Sequence, residues 1–426
     1  KTQKYIPSDR PARRVGQGPK HHFFGYYNKS NWGAGDGWVL AHRVDMMVAD
    51  LTPSMQAEVG YFDLNEIDEF HVLGHTTAWN WQMGAQLQWL GGPGTKIIYN
   101  VRTDRPGGLY PGFGSVVLDL ESGDSRHLDA PVYVVSPNGR HALTVDYSRL
   151  HVTHPTIGYS PAGQRPVMPL CPNEDGIHRI DLETGSTRLL VSYADMKAFN
   201  HRPSMDRAIH WISHIEVNPS STRFLFLHRW TERVEDETCF LHRLLTMNLD
   251  GSDLRLLECS DHPLPQLAEN FDPAAVGTFD YEKSEFQISH PLWRDDEHII
   301  VWGPHGGQIH YHLYHDRTPA IVTVIGKDLL TENGHMTYSP VNRRWLLTDT
   351  YPDAATNERA LLLYDVQRGV CHHLGAFYTD PSLSKENRCD LHPRWSRDGT
   401  RICIDSVHEH ERQMYIVDVS SIVAAS

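Results

Sequence analysis

The chain of 426 residues has no apolar run near the ~18 residues that a membrane-spanning helix needs, which excludes such a helix. Its six cysteines, Cys171, Cys239, Cys259, Cys371, Cys389 and Cys403, never stand in CxxC spacing, so a thiolate metal knuckle or a dithiol redox centre is excluded. They read as reduced core thiols, which favours a cytoplasmic location. The start at Lys1 shows no signal peptide, and a processed N-terminus would shift the expectation to the periplasm or the exterior. No GxSxG is present, which argues against a peptidase of the hydrolase type. A convincing pair of opposed carboxylates is also missing, as a glycoside hydrolase would require. Basic residues are in deficit, 39 against 53 acidic, for a net charge of -14, so neither nucleic acid nor an anionic membrane surface is an expected partner. Helical periodicity is almost absent.

What the chain does have is a recurrence. Seven times a turn of Pro, Asn, Asp or Gly runs directly into a short apolar, β-branched stretch. The clearest copies are Ser136-Pro137-Asn138-Gly139 into Ala142-Leu143-Thr144-Val145, Asn218-Pro219-Ser220-Ser221 into Phe224-Leu225-Phe226-Leu227, Ser339-Pro340-Val341-Asn342 into Trp345-Leu346-Leu347-Thr348, and Ser396-Arg397-Asp398-Gly399 into Ile402-Cys403-Ile404. Looser copies precede Trp38-Val39-Leu40, Ile97-Ile98-Tyr99 and Ile299-Ile300-Val301-Trp302. Hairpin turns such as Asp119-Leu120-Glu121-Ser122-Gly123, Asp181-Leu182-Glu183-Thr184-Gly185, Asn248-Leu249-Asp250-Gly251 and Asp365-Val366-Gln367-Arg368-Gly369 are interleaved with them. Two hairpins in a period of roughly 45 residues are the signature of a four-stranded propeller blade.

The pattern predicts an all-β fold, a seven-bladed β-propeller of four-stranded antiparallel blades, forming one domain over residues 1–426. The blades fall near 20–75, 78–130, 131–192, 210–260, 286–327, 334–376 and 390–420. Residues 1–20 are expected to add a strand to the last blade and so remove an exposed edge. Loop-like insertions are expected at 148–164 and 258–283. A β-sandwich, or two unrelated β domains, is the competing architecture.

Histidine is abundant, 28 in all, and much of it stands beside strand starts. The first strand of each propeller blade lines the channel, so side chains entering it from several blades converge. These include His21 and His22, Trp79, Asn80 and Gln82, His210 and His214, His290, His335, and Asp390 with His392.

Through Ser213-His214-Ile215, Arg243 leading into Met247-Asn248-Leu249-Asp250-Gly251-Ser252, Ser289-His290-Pro291-Leu292-Trp293, Gly334-His335 and Leu391-His392-Pro393, the chain resembles the oligogalacturonate lyases. These are seven-bladed propellers that cleave uronic-acid oligosaccharides by β-elimination with a divalent metal, usually manganese. The resemblance implies His290 as base, Arg243 as its partner on the carboxylate side, and His335 and His392 as metal ligands. The chain departs from the family at Asp390, where the family has a further histidine, and at Asn387, near a family glutamine. An oxygen ligand in place of nitrogen favours manganese, calcium or magnesium over zinc.

The implied chemistry explains the collection of residue types. Removing the proton next to a uronate carboxylate demands neutralisation of the developing charge, and a neutral imidazole then serves as base near pH 7. The expected site therefore has His290 and Arg243 as catalytic residues. His335, Asp390 and His392 are the metal ligands, and Arg149, Tyr147, Arg202, His214, His228 and Arg229 contact an anionic uronate oligosaccharide or polysaccharide. Tyr147 or Tyr26 is the candidate proton donor to the leaving oxygen. Two other readings stay open. One is a lyase of glucuronate polymers that uses a Tyr/His pair, and the other is a non-catalytic sensor or scaffold propeller. Plain structural roles are also open for Arg229, for Trp230 and Trp395 as blade-packing rings, and for His305, His310, His312 and His315 as a solvated loop.

Overall fold

The computed structural model describes residues 5–66, 69–164, 166–234, 240–261 and 287–425. The fold is a seven-bladed β-propeller. Its seven sheets begin at His21–Phe23, Gln88–Trp89, Val134–Val135, Ile209–Val217, Ser289–Trp293, Thr337–Tyr338 and Arg394–Trp395, and are numbered blades 1 to 7 in that order. Most of the insertion expected at 258–283 lies outside the described residues, as does Cys239.

The turn signals work by side-chain acceptance. Asn218 Oδ1 takes the backbone N–H groups of Thr222 and Arg223 at 2.8 and 3.0 Å, which closes the bend before the strand Arg223–Thr231. The hairpin aspartates repeat a second device. Asp119, Asp181 and Asp365 each accept from the N–H groups two and three residues on. The glycine that follows, Gly123, Gly185 or Gly369, then adopts a left-handed φ of 76, 76 or 62°.

The chain divides into two compact units. One comprises Lys1–Pro106, Gly112–Leu128 and Asp328–Ser426 and carries blades 1, 2, 6 and 7; the other comprises Gly107–Pro111 and Asp129–Lys327 and carries blades 3, 4 and 5. In the first unit the N-terminal segment pairs twice. Ala12–Val15 runs antiparallel to Gln413–Asp418 as the outer strand of blade 7, and Tyr5–Pro7 adds a parallel fifth strand to blade 6 beside Val370–Tyr378. The packing between blades 7, 1 and 2 is apolar, from Val15, Cys403 and Ile416 through Val39 and Val59 to Trp79, Trp89 and Ile97. Tryptophans tie neighbouring inner strands together. Trp395 Nε1 donates to Thr337 O at 3.2 Å in the first unit, and Trp293 Nε1 donates to Glu216 O at 3.0 Å in the second.

The segment expected as a loop after residue 148 instead opens with a helix, Tyr147–Thr153. Asp146 caps it by accepting from Ser148 N, and buried Tyr147, Leu150 and Val152 supply the apolar face. A second helix, Tyr193–Ala198, is closed by a reciprocal box between Ser192 and Asp195. No helix among the described residues is long and apolar enough to cross a membrane.

One buried ion pair within blade 7 also ties that blade to blade 1. Asp405 is 2.9 Å from Arg394 Nη2 and accepts the N–H groups of Phe24 and Gly25 at 3.0–3.2 Å. Both side chains are buried. Removing one partner strands the other charge, so Asp405→Ala is expected to lower stability by about 3–5 kcal/mol in denaturant unfolding. A loss below about 1 kcal/mol, the range of an exposed pair, would contradict this role.

Candidate metal centre and active site

Blade 6 brings His335 to Asp349, the last residue of the strand Trp345–Asp349. Asp349 Oδ1 accepts His335 N at 2.7 Å, and both carboxylate oxygens lie 2.9–3.0 Å from His335 Nδ1. The carboxylate thus fixes the tautomer with the proton on Nδ1 and leaves the lone pair on Nε2. Oδ2 also accepts the backbone N–H of His392, from blade 7, at 3.2 Å. One carboxylate therefore orients both histidines. Gly334 makes the approach possible, since a Cβ there would stand 1.8 Å from Asp349 O.

The lone pairs meet a second carboxylate. His335 Nε2 and His392 Nε2 lie 3.8 and 3.6 Å from Asp390 Oδ2, and the two rings meet edge to face with centroids 4.4 Å apart. All three side chains are buried, and their donor atoms lie within 4.8 Å of one another. His392 Nε2 has no hydrogen-bond partner among the described residues. Burial, reinforced by His335, pushes the His392 imidazole well below its usual range, so the ring is neutral with a free lone pair. Burial alone would raise the Asp390 carboxyl. Arg388 at 2.9 Å and Arg359 at 2.8 Å overcome that effect and hold it well below the usual carboxylate range. Tyr26 and Tyr27 wall the cluster, with ring centroids 5.1 Å from His392 and 5.3 Å from His335.

This donor set fits a divalent cation. Two imidazoles and an ionised carboxylate converge, an orphaned nitrogen is aimed inward, and an outer carboxylate orients the ligands as at known metal sites. Asn387 takes no part. Its Oδ1 accepts Ala49 N at 2.9 Å, so the expected stand-in for the family glutamine is committed to backbone.

Blades 4 and 5 hold the remaining expected residues. His214 and His290 are buried with ring centroids 6.0 Å apart. Each follows a serine whose Oγ lies near its Nδ1, at 2.8 Å for Ser213 and 3.3 Å for Ser289. Both sit where strand register slips, between Ser213 and Glu216 and between Ser289 and Leu292. Both adopt left-handed backbone, φ 55 and 54°, and His392 repeats this at 43°. Such a conformation costs a β-carbon residue about 1–3 kcal/mol and is characteristic of functional positions. Arg229 is buried with its guanidinium 4.6 Å over the Phe240 ring.

Four of the expected substrate or catalytic residues are instead internal struts. Arg243 was expected beside the base, but none of its hydrogen bonds goes to His290. Its Nε donates to His228 Nδ1 at 3.0 Å, Nη1 donates to Phe199 O and Asn200 O at 2.8 and 3.2 Å, and Nη2 donates to Met196 O. The reason is local. The helix Tyr193–Ala198 ends over this strand, with Asn200 left-handed behind it, and its last carbonyls need donors. His228 is consumed as well. With Nδ1 accepting from Arg243, its Nε2 proton points to His210 Nδ1 at 2.8 Å, and His210 Nε2 donates to Met205 O at 3.0 Å. Arg149 is buried on the helix Tyr147–Thr153 and donates to His210 O and Pro169 O at 2.8 and 2.6 Å. Tyr147, fully buried, donates to Val132 O at 2.8 Å and stacks on Tyr159 at 4.2 Å, which removes it as a proton donor to substrate. Arg202 is half-exposed and pairs with Asp261 at 2.6 Å.

Trp230 is a packing ring, donating to Ser204 Oγ at 3.1 Å, and Trp395 is one too. The sequence reading missed Asp349, Arg359 and Arg388. Asp349 had a signal, because Thr348-Asp349-Thr350 ends a strand as Ile404-Asp405-Ser406 does one blade later. Arg359 had none, while Arg388 had its place two residues before Asp390.

The neutral histidine chain makes stability depend on pH. Burial pushes His210 from 6.5 down to about 4 and His228 well below its usual range. The unfolded chain therefore binds more protons between those limits. The contribution is complete above about pH 6.5 and is lost as pH falls through the window toward 4, by about 1.4 kcal/mol per pH unit per histidine at most. Denaturant unfolding between pH 7 and 5 is expected to show this slope, and a smaller one in His210→Gln. An identical slope in the variant would contradict the assignment.

No protein-family model matches the chain, and no curated protein does either. Among solved structures it is similar to the oligogalacturonate lyase of Vibrio parahaemolyticus, at 14% identity and a TM-score of 0.62, covering 97% of this chain and 95% of that one. It is equally similar to an oligogalacturonate lyase in complex with manganese, at 13% identity and a TM-score of 0.61, covering 98% of each chain. At these identities the likeness establishes the fold, matched from one end to the other.

Proposed function

We propose that this chain is a metal-assisted lyase of uronic-acid-containing glycans, yielding a 4,5-unsaturated uronate. The observation that carries the reading is the buried His335–Asp390–His392 set with its orphaned Nε2, on a fold matched end to end by a lyase solved with manganese.

His335, Asp390 and His392 hold the cation, manganese by preference and calcium or magnesium as alternatives. When bound, the ion supplies neutralisation of a carboxylate whose α-proton is being removed. His290 takes that proton as the base, on a ring set by its bulge and by Ser289. His214 and Arg229 are the remaining uronate contacts of blade 4. Arg359 and Arg388 offset the charge of Asp390 and keep its carboxylate ionised before the ion arrives. Arg243 supports this arrangement only by holding the helix Tyr193–Ala198 to its strand.

A second reading is favoured by one observation, the packing of Tyr26 on His392. It assigns proton transfer to a tyrosine, as suits glucuronate polymers, and Tyr26 rather than Tyr147 is then the residue. His290→Ala is expected to lower kcat about 10²-fold or more, with substrate still bound, in an assay of ultraviolet absorbance by the unsaturated product. If His290→Ala turns over normally while Tyr26→Phe is inactive, the tyrosine reading replaces the first. If no uronate polymer or oligosaccharide gives unsaturated product, with or without manganese, both lyase readings fail.

Asp349→Asn keeps the backbone acceptor but loses the charge behind His335. It is expected to weaken manganese binding about 10–100-fold by calorimetry, with the melting temperature little changed. Unchanged affinity would remove Asp349 from the site.

A further inference from the structure

The histidine-rich segment Gly303-Pro304-His305-Gly306-Gly307-Gln308-Ile309-His310-Tyr311-His312 is not the solvated loop that its composition permits. It is the hairpin of His298–His305 and Gln308–His315 in blade 5. Cross-strand partners share a face, and the register pairs His305 with Gln308, Gly303 with His310, and Val301 with His312. His305, His310 and His312 therefore stand on one face. Opposite His310 stands Gly303, which brings no side chain of its own.

The rings are close. Those of His305 and His310 have centroids 5.6 and 5.8 Å from that of His312. Imidazoles bound tetrahedrally at about 2.0–2.1 Å from one ion place their centroids a little over 5 Å apart, so both spacings are close to that of rings sharing an ion, and His305 and His310 would turn toward His312 to hold one. His312 is 2% exposed, and its Nδ1 has no hydrogen-bond partner among the described residues. His310 makes no hydrogen bond among the described residues. Glu258, from the outer strand Arg255–Ser260 of blade 4, lies 2.7 Å from His305 Nδ1 and also accepts from Tyr314 at 2.7 Å. The carboxylate fixes the proton on Nδ1 and turns the lone pair of His305 to Nε2. That is the relation Asp349 bears to His335.

We propose that His305, His310 and His312, with Glu258 behind His305, form a second cation site, selective for a borderline divalent ion such as zinc. Three nitrogen donors on a rigid hairpin suit zinc and its late first-row neighbours, whereas manganese prefers the oxygen-containing set of blades 6 and 7. The site is independent of the lyase reading.

Zinc alone, titrated into the full chain and followed by calorimetry, separates the two. His335→Ala/His392→Ala, which disables the first site, is expected to retain one zinc equivalent. His305→Ala/His310→Ala is expected to lose that equivalent while manganese binding persists, and Glu258→Gln to weaken it about 10–100-fold. Cobalt in place of zinc should give a visible spectrum in the first double variant and lose it when His305 and His310 are also removed. Zinc binding that is absent from the first variant, or unchanged in the second, would overturn the proposal, and weak binding indifferent to all these substitutions would mark an adventitious ion only.

Discussion

The inner strands of several blades are only two residues long, as at Gln88–Trp89, Thr337–Tyr338 and Arg394–Trp395, and several backbone N–H groups beside an inner strand or at a bulge within one donate to a side chain instead of a ladder carbonyl. Leaving such groups unpaired costs about 1–3 kcal/mol each, so each needs an acceptor supplied by a side chain. The chain meets this repeatedly with a polar residue from a neighbouring strand. Asp349 takes His335 N and His392 N, Asp405 takes Phe24 N and Gly25 N, His42 takes Ala85 N, His242 takes Ile288 N, and Tyr133 takes His214 N. This requirement places buried carboxylates and imidazoles at the inner strands, whatever their later use.

The candidate site is what that arrangement becomes when the acceptor is shared. Asp349 satisfies two inner-strand amides, and its oxygens also orient the His335 ring, so a structural acceptor doubles as the outer carboxylate of a metal site. The left-handed backbone at His214, His290 and His392, within a bulge at the first two, serves the same end. It turns single side chains out of the pleat, at a strain that regular strands would not carry. Asp390 is tolerable in full burial because Arg359 and Arg388 stand against it, which makes an oxygen ligand workable where the resembled family has nitrogen.

Much of the fold was legible because turns depend on local chemistry. Asp365 and Gly369, or Asn218 with its two accepted amides, bend the chain wherever they occur. His335, Asp390 and His392 were legible as well, since they flank strands at the same place in successive blades. Arg149, Tyr147 and Arg243 misled the reading because they donate to backbone carbonyls distant in sequence, and His228 because it lies between the side chains of Arg243 and His210; such pairings leave no trace in composition. The helix Tyr147–Thr153 was missed for a related reason, being too short to show a period. Arg359 reaches Asp390 only through tertiary pairing, whereas Arg388 stands two residues before it.

The central claim is that His335, Asp390 and His392 are metal ligands. Anomalous diffraction at the manganese edge, from crystals grown with manganese, tests it most directly. The account predicts one strong peak in contact with the ring nitrogens of His335 and His392 and a carboxylate oxygen of Asp390. A structure with that pocket vacant at saturating manganese, or with the ion held by other residues, would contradict it.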